Sequence, residues 1–446
     1  MHTAAIAPVR LAPAQGMVAL ALLLAIPAHG TPAAVSALDS LYPQLDALYL
    51  DLHRNPELSG QETKTAAKLA DRLRKLGYEV TTGIGGTGIV GVLRNGKGPT
   101  VLLRTELDAL PVEEKTGLPY ASKVTVKDAA GNTVPVMHAC GHDVHMTCAI
   151  GMAKVLAGMK DRWHGTLIII GQPAEERGSG ARAMLADGLF TRFPKPDFCL
   201  ALHDDPEFES GTVAYGTGYI QANVDSVDVI IHGVGGHGAY PHKTKDPIVL
   251  AAQIVLALQT IVSREVQPGE AAVVTVGSIH GGLKHNIIPD EVRLQITVRS
   301  YTDAVRQQTV QAIKRIVRGE ALAAGIPDNL LPEVKISDEF TPATYNTPEL
   351  AERIGKVFKV WFGEDKVFPK KPSMGGEDFS EYGRTQDKIP ILLFSLGGVG
   401  AHAFQERAAK PIPSLHSSLW APDPEPTIKT GITAMSAAVL ELMHKP

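Results

Sequence analysis

Read for the spacing of apolar positions, the chain changes texture near residue 224. Ahead of that point short apolar runs recur, each followed by polar residues: Thr100-Val-Leu-Leu-Arg104, Thr166-Leu-Ile-Ile-Ile170 and Asp197-Phe-Cys-Leu-Ala-Leu202. Short apolar runs without polar alternation fit strands buried on both faces. Helical spacing lies between them, over Val144 to Leu156 and Ala181 to Leu189, and an earlier helical stretch covers Ser36 to Leu76 with Gly77 as its stop. Strands alternating with helices predict an α/β domain, a mostly parallel sheet covered by helices. Such sheets bind ligands beyond the carboxyl ends of their strands, which makes the polar residues after each run the first candidates for a site.

From Val224 the pattern alternates. Ser226-Val-Asp-Val-Ile-Ile-His232 reads as a half-buried strand, Pro247 to Ser263 as an apolar helix, Ala272 to Ile279 and Glu291 to Ser300 as strands, Thr302 to Ala324 as an amphipathic helix, and Glu333-Val-Lys-Ile336 as a closing strand. That order is a split βαβ, or ferredoxin-like, α+β unit. After Pro342 helix returns, then Lys388 to Phe394 as a buried strand and a last helix from Thr427, so the unit reads as an insertion. The expected divisions are a leader at 1–30, the first part of the main domain at 31–223, the insertion at 224–335 and the second part at 336–446.

Composition narrows the options. The 446 residues carry a formal charge of -4 with no basic run, which gives no footprint for nucleic acid. Arg10, the apolar stretch Met17 to Ile26, Pro27 and the small-residue site Ala28-His-Gly30 fit a cleaved export signal. The run is short for a bilayer, so an export signal is expected rather than a stable membrane anchor, giving a periplasmic or secreted protein. Three cysteines, Cys140, Cys148 and Cys199, do not make a disulfide framework.

Two clusters carry chemistry. Met137-His-Ala-Cys-Gly-His-Asp-Val-His-Met146 packs His138, Cys140, His142, Asp143 and His145 together, and thiolate with imidazole suits zinc and similar divalent ions. Asp143 or Asp108 would orient a ligating imidazole from behind. Gly171-Gln-Pro-Ala-Glu-Glu-Arg-Gly178 follows a core strand, and its adjacent carboxylates can divide labour, one ligating a metal and one moving a proton. His203, after Asp197 to Leu202, and His416, in Ser414-Leu-His-Ser-Ser418, add imidazoles that complete a mixed Cys, His and Glu set.

With these motifs the chain resembles the metal-dependent aminoacylase and carboxypeptidase family of zinc metallopeptidases. The similar branch holds hippurate hydrolases, N-acyl-amino-acid amidohydrolases and plant auxin-conjugate hydrolases. Arg104-Thr-Glu-Leu-Asp-Ala-Leu-Pro111, His138 to Asp143, Pro173-Ala-Glu-Glu176 and Gly235-Gly-His-Gly-Ala-Tyr-Pro-His242 occur in the family's order, and the likeness runs from Asp51 to Trp420. It implies hydrolysis of the amide bond of N-acyl amino acids or short peptides with a free carboxylate. Cys140, His142, Glu176, His203 and His416 correspond to metal ligands for one or two divalent ions per subunit, zinc first, with manganese, cobalt or nickel as alternatives. Cys140 stands where more distant relatives use a bridging Asp. Glu175 matches the general base, Asp108 a catalytic-site carboxylate, His237 an oxyanion-stabilising histidine that often reaches the partner's site, and Asn286 a substrate-binding position. The insertion corresponds to a lid and dimerisation domain, which implies a homodimer. Thr105-Glu106 and Ser417-Ser418 depart from the branch's usual Ala-Asp and Ser-Pro.

Two rivals remain at this level. Cys140 could act as a thiol nucleophile with His142 as its base and no metal. Alternatively the fold could bind a metal or ligand without turnover, although a pure binding site has no use for Glu175.

Overall fold

The computed structural model describes residues 31–444, so the expected leader lies outside the described residues. The strands of the two larger sheets, in chain order, are β1 (Glu79–Ile84), β2 (Gly88–Asn95), β3 (Thr100–Glu106), β4 (Gly165–Gln172), β5 (Phe198–Glu209), β6 (Val213–Tyr215), β7 (Asn223–His232), β8 (Ala272–Gly281), β9 (Glu291–Ser300), β10 (Glu333–Thr341), β11 (Val367–Pro369) and β12 (Ile391–Val399). The main helices are α1 (Thr31–Arg54), α2 (Thr63–Lys75), α3 (His142–Gly158), α4 (Gly180–Ala186), α5 (Pro247–Thr260), α6 (Asp303–Ala323), α7 (Pro348–Phe362) and α8 (Pro424–Leu442).

Eight strands form the main sheet in the order β1-β2-β4-β3-β5-β12-β6-β11. Its centre, β4, β3, β5 and β12, is parallel, and antiparallel pairs flank it. The apolar runs do not alternate because both faces are covered: Val101, Leu103, Leu167, Ile169 and Leu200 point into one core, and Leu102, Ile168, Ile170 and Cys199 into another. The first core is roofed by α1, α2, α3, α7 and α8.

The inserted unit keeps the β-α-β-β-α-β order of a ferredoxin-like fold, with sheet order β8-β9-β7-β10, antiparallel throughout. Val227, Val229 and Ile231 of β7 pack with Ile254 and Leu258 of α5 and Ile313 of α6 in a separate core. The opposite residues of β7, Val224 and Ser226, line a cavity shared with the main domain. The closing strand β10 continues past Ile336 to Thr341.

Three expectations need correction. The stretch from Ser36 to Leu76 is two helices, because after Arg54 the chain turns through Pro56 and pairs sideways, with Ala109 N donating to Glu57 O at 2.8 Å. The helix expected to reach Leu189 ends at Ala186, since Gly188 takes φ +88 and starts a separate turn. The strand expected from Lys388 begins only at Ile391, after Pro390, and runs on to Val399. The antiparallel margin β1–β2 carried too few apolar residues in β1 to be read from the sequence.

Candidate active site

The parallel strands β3, β4 and β5 end on the same side, and each passes its polar residues to that edge: Asp108 after β3, Glu175 and Glu176 after β4, His203 within β5. α3 opens there with His142. Gly141 turns the chain at φ +71 just before it, and a Cβ at that position would collide with the Asp204 carboxylate. His416 arrives from the second part of the chain, itself at φ +67 and held by its N–H on Ala139 O at 2.8 Å. Cys140, Glu175, Glu176, His203 and His416 line one cavity of about 770 Å³, together with Arg299 of β9 and Glu377.

The donor atoms converge. His416 Nε2 lies 3.2 Å from Cys140 Sγ and 3.4 Å from Glu176 Oε2, and His203 Nε2 lies 3.5 Å from Cys140 Sγ. His142 Nε2 is 3.8 Å from Glu176 Oε1 and 3.9 Å from Glu175 Oε2. Two triads with mutual donor distances within 4.8 Å, Cys140–His142–His203 and Cys140–Glu176–His416, share the Cys140 sulfur. His142 Nε2 and Glu176 Oε1 are buried without a hydrogen-bond partner, and so is Asp108 Oδ1 beside them. An unsatisfied buried polar atom costs about 1–3 kcal/mol, so the two that face each other at 3.8 Å, His142 Nε2 and Glu176 Oε1, fit a group that bonds to both. Soft and borderline donors of this kind suit a divalent metal.

Burial, then Glu377 and Glu176, push the Glu175 carboxyl well above the ordinary carboxylate range. Burial raises Glu176 to about 7 against the pull of His142. Burial works to lower His142, but Asp108, Glu106 and Glu176 overcome it and raise the imidazole to about 10. Burial and then Glu176 and Glu175 hold the Cys140 thiol well above its usual value. A thiol nucleophile is activated by the opposite, electropositive kind of surroundings, so the metal-free thiol mechanism loses ground.

Behind these groups stands a supporting layer. His142 Nδ1 bonds the backbone oxygen of Asp108 at 2.8 Å, while the Asp108 carboxylate accepts from Ser59 Oγ at 2.7 Å and Glu176 N at 3.0 Å. Asp143 does not orient a ligating imidazole: its carboxylate holds His53 at 2.7 Å, and Glu114 holds the other His53 nitrogen at 3.1 Å. His145 bridges Glu106 and Asp204, each at 3.1 Å, and Asp204 O in turn fixes His203 Nδ1 at 2.7 Å. His138 is buried, with both ring nitrogens unpartnered. Ala174 takes the left-handed conformation at φ +48 before the Glu175–Arg177 turn, a strain of about 1–3 kcal/mol for a residue with a Cβ. Arg104, fully buried, pairs with Glu106, Glu377 and Asp378. Sequence reading missed Glu377 and Asp378, although a second adjacent carboxylate pair after Gly375-Gly376 was a visible signal.

Two expected site residues stand elsewhere. His237 and Asn286 are exposed on a two-stranded ribbon of the insertion, with His237 opposite Ile287 and Gly238 N donating to Asn286 O at 2.8 Å. Neither lines the cavity of its own chain.

Residues 102–439 match peptidase family M20/M25/M40. The chain belongs to that family. It is 36% identical over 398 residues to thermostable carboxypeptidase 2 of Saccharolobus solfataricus, covering 88% of this chain and 94% of that one. It is 39% identical over 342 residues to a hippurate hydrolase of Campylobacter jejuni, covering 76% and 85%. Among solved structures it is similar to the Bacillus subtilis YXEP protein, a dinuclear metal-binding peptidase of the M20 family, with TM-score 0.72, 27% identity and coverage of 90% and 98%. As an M20 member the chain is a metal-dependent hydrolase of amide or peptide bonds, and its donor set fits divalent ions.

Proposed function

We propose that this M20 enzyme releases amino acids from N-acyl amino acids or short peptides that carry a free carboxylate. Cys140, His142, Glu176, His203 and His416 would hold the divalent metal, one or two ions per subunit, with zinc the first choice. The observation that carries this is the pair of donor triads with one common sulfur, together with the unpartnered donors of His142 and Glu176. When bound, divalent ions there acidify a water and polarise the scissile carbonyl. Glu175, its pKa raised by its surroundings, takes the proton from the attacking water and returns it to the leaving amine. Asp108 serves by position, fixing the His142 ring through its backbone oxygen and the Glu176 turn through its carboxylate.

Arg299 reaches the cavity from the open face of the inserted sheet, half-buried, its donors on Thr297 Oγ1 and Met374 O and no carboxylate against it among the described residues. It is therefore well placed to take the substrate's carboxylate, which orients the scissile bond. His237 and Asn286 serve the site of a second subunit. The insertion supplies the contact: Ile248, Val249 and Leu256 of α5 and Val262 just after it are 44%, 55%, 72% and 40% exposed, beside the edge strand β8. Export, with cleavage near residue 30, completes the proposal.

The test is a metal-reconstituted screen of N-acetyl, N-benzoyl and dipeptide substrates, with chromatographic detection of the freed amino acid. Activity lost to chelators and restored by divalent ions is the expected result. Activity that survives chelation and dies with thiol alkylation would sink it.

A further inference from the structure

The turn that carries Glu175 is held on both sides by buried carboxylates. On the far side Asp108 accepts the Glu176 N–H. On the near side Glu62, wholly buried, accepts the Ala174 N–H on Oε1 at 2.9 Å. The same oxygen accepts from Gly60 N at 2.8 Å, and Oε2 accepts from Thr87 Oγ1 at 2.5 Å. Glu62 has no cationic partner among the described residues, and burial raises its pKa. A buried carboxylate without a counter-charge is a poor choice for stability alone. What it does contact is the one residue, Ala174, whose left-handed backbone sets the direction in which Glu175 leaves β4.

We propose that Glu62 is a positioning residue for Glu175: by accepting the Ala174 N–H it holds the left-handed turn that aims the Glu175 carboxylate into the cavity. This rests on Glu175 being the base. Glu62 comes from the loop that breaks the first helical stretch, the same loop that sends Ser59 to Asp108. That loop thus clamps the catalytic turn from two points three positions apart, Ser59 by way of Asp108 and Glu62 directly. The need is for an acceptor and not for a charge. Glutamine can present its amide oxygen to Ala174 and Gly60 and its NH₂ to the Thr87 hydroxyl, which can accept.

The experiment compares Glu62→Gln, Glu62→Met and Glu62→Met with Ala174→Gly, each loaded with metal, for kcat, KM, metal content and melting temperature. Glu62→Gln should stay near the parent. Glu62→Met, which fills the space without an acceptor, should lower kcat by about 10-fold to 100-fold with KM and metal content unchanged. Glycine adopts positive φ without help, so Ala174→Gly should return much of the lost kcat. Should the methionine variant not fold, Glu62→Ala with and without Ala174→Gly carries the same comparison. A folded variant without the acceptor that keeps full kcat, or a loss that tracks metal content, or no recovery with glycine, would overturn the proposal. Glu175→Gln run alongside separates the two readings: activity in that variant overturns the base and the Glu62 proposal together, whereas its loss beside full kcat in a folded variant without the acceptor overturns the Glu62 proposal alone.

Discussion

The strand-end cluster, crowded with chemistry in the sequence, and the His237–Asn286 ribbon, marked as a site only by the family resemblance, are treated by the protein in opposite ways. At the strand ends every support is internal: His142, Glu176 and His203 are each fixed by groups that are themselves buried and bonded. On the ribbon His237 and Asn286 face outward, close to exposed Ile287 and to Leu283, which is 100% exposed. The difference teaches that the strand-end residues find their partners within the chain, whereas His237 and Asn286 stand clear of its cavity. An apolar, outward-facing ribbon that carries candidate chemistry fits a surface finished by a second copy.

The sharpest way to break this contrast is at its completed side. Glu175→Gln should lower kcat by about 10²-fold to 10⁴-fold while metal content, read by elemental analysis, stays the same. Cys140→Ala and His203→Ala should instead lose bound metal and activity together; normal stoichiometry in both would remove them from the ligand set. The outward side is tested by mixed dimers of a Glu175→Gln chain and a His237→Ala chain, each nearly inactive alone. Activity should recover towards half that of the unmodified dimer, and verified mixed dimers without recovery would place His237 outside the partner's site.

Proton linkage gives two smaller effects. The metal-free His142 imidazole, raised to about 10, is protonated at neutral pH, so an incoming ion must displace that proton. Affinity should fall as pH falls, with proton release visible when binding heats are compared in buffers of different ionisation enthalpy. His53 offers a stability effect away from the ligands. Burial lowers its pKa, but Asp143 and Glu114 raise it to about 10, above an unfolded value of about 6.5. Its stabilisation is therefore full below about 6.5 and is lost as pH rises through about 10. Asp143 and Glu114 are lowered instead, burial notwithstanding, by that same imidazole, and their contribution is lost as pH falls through the carboxylate range. His53→Gln should flatten the fall of melting temperature between about pH 7 and 10.

How much of this was legible follows from physical distance along the chain. The double cores of the main sheet were readable because β3, β4 and β5 bury both faces and so lose all alternation. The inserted unit was readable for the opposite reason, since β7 and β9 bury every second residue. Cys140 and His142, or Glu175 and Glu176, announce themselves by crowding. Glu62 and His53 do not, because each acts on residues far away in sequence, and Arg104 likewise meets Glu377 and Asp378 across 273 and 274 positions. The divided fates of His138, His142 and His145 were equally hidden, as they depend on which way each ring turns within the first turns of α3 and the loop before it.

The delivery of His416 also bears on how the protein is made. Its ring meets the Cys140 sulfur across 276 positions, from a loop that lies after β12 and only just ahead of α8. A chain emerging from the ribosome can assemble β3, β4, α3 and the paired glutamates long before that loop exists. Chains that stop short of residue 416 therefore lack one donor of the triad Cys140–Glu176–His416, and the hydrolytic centre stays incomplete without it.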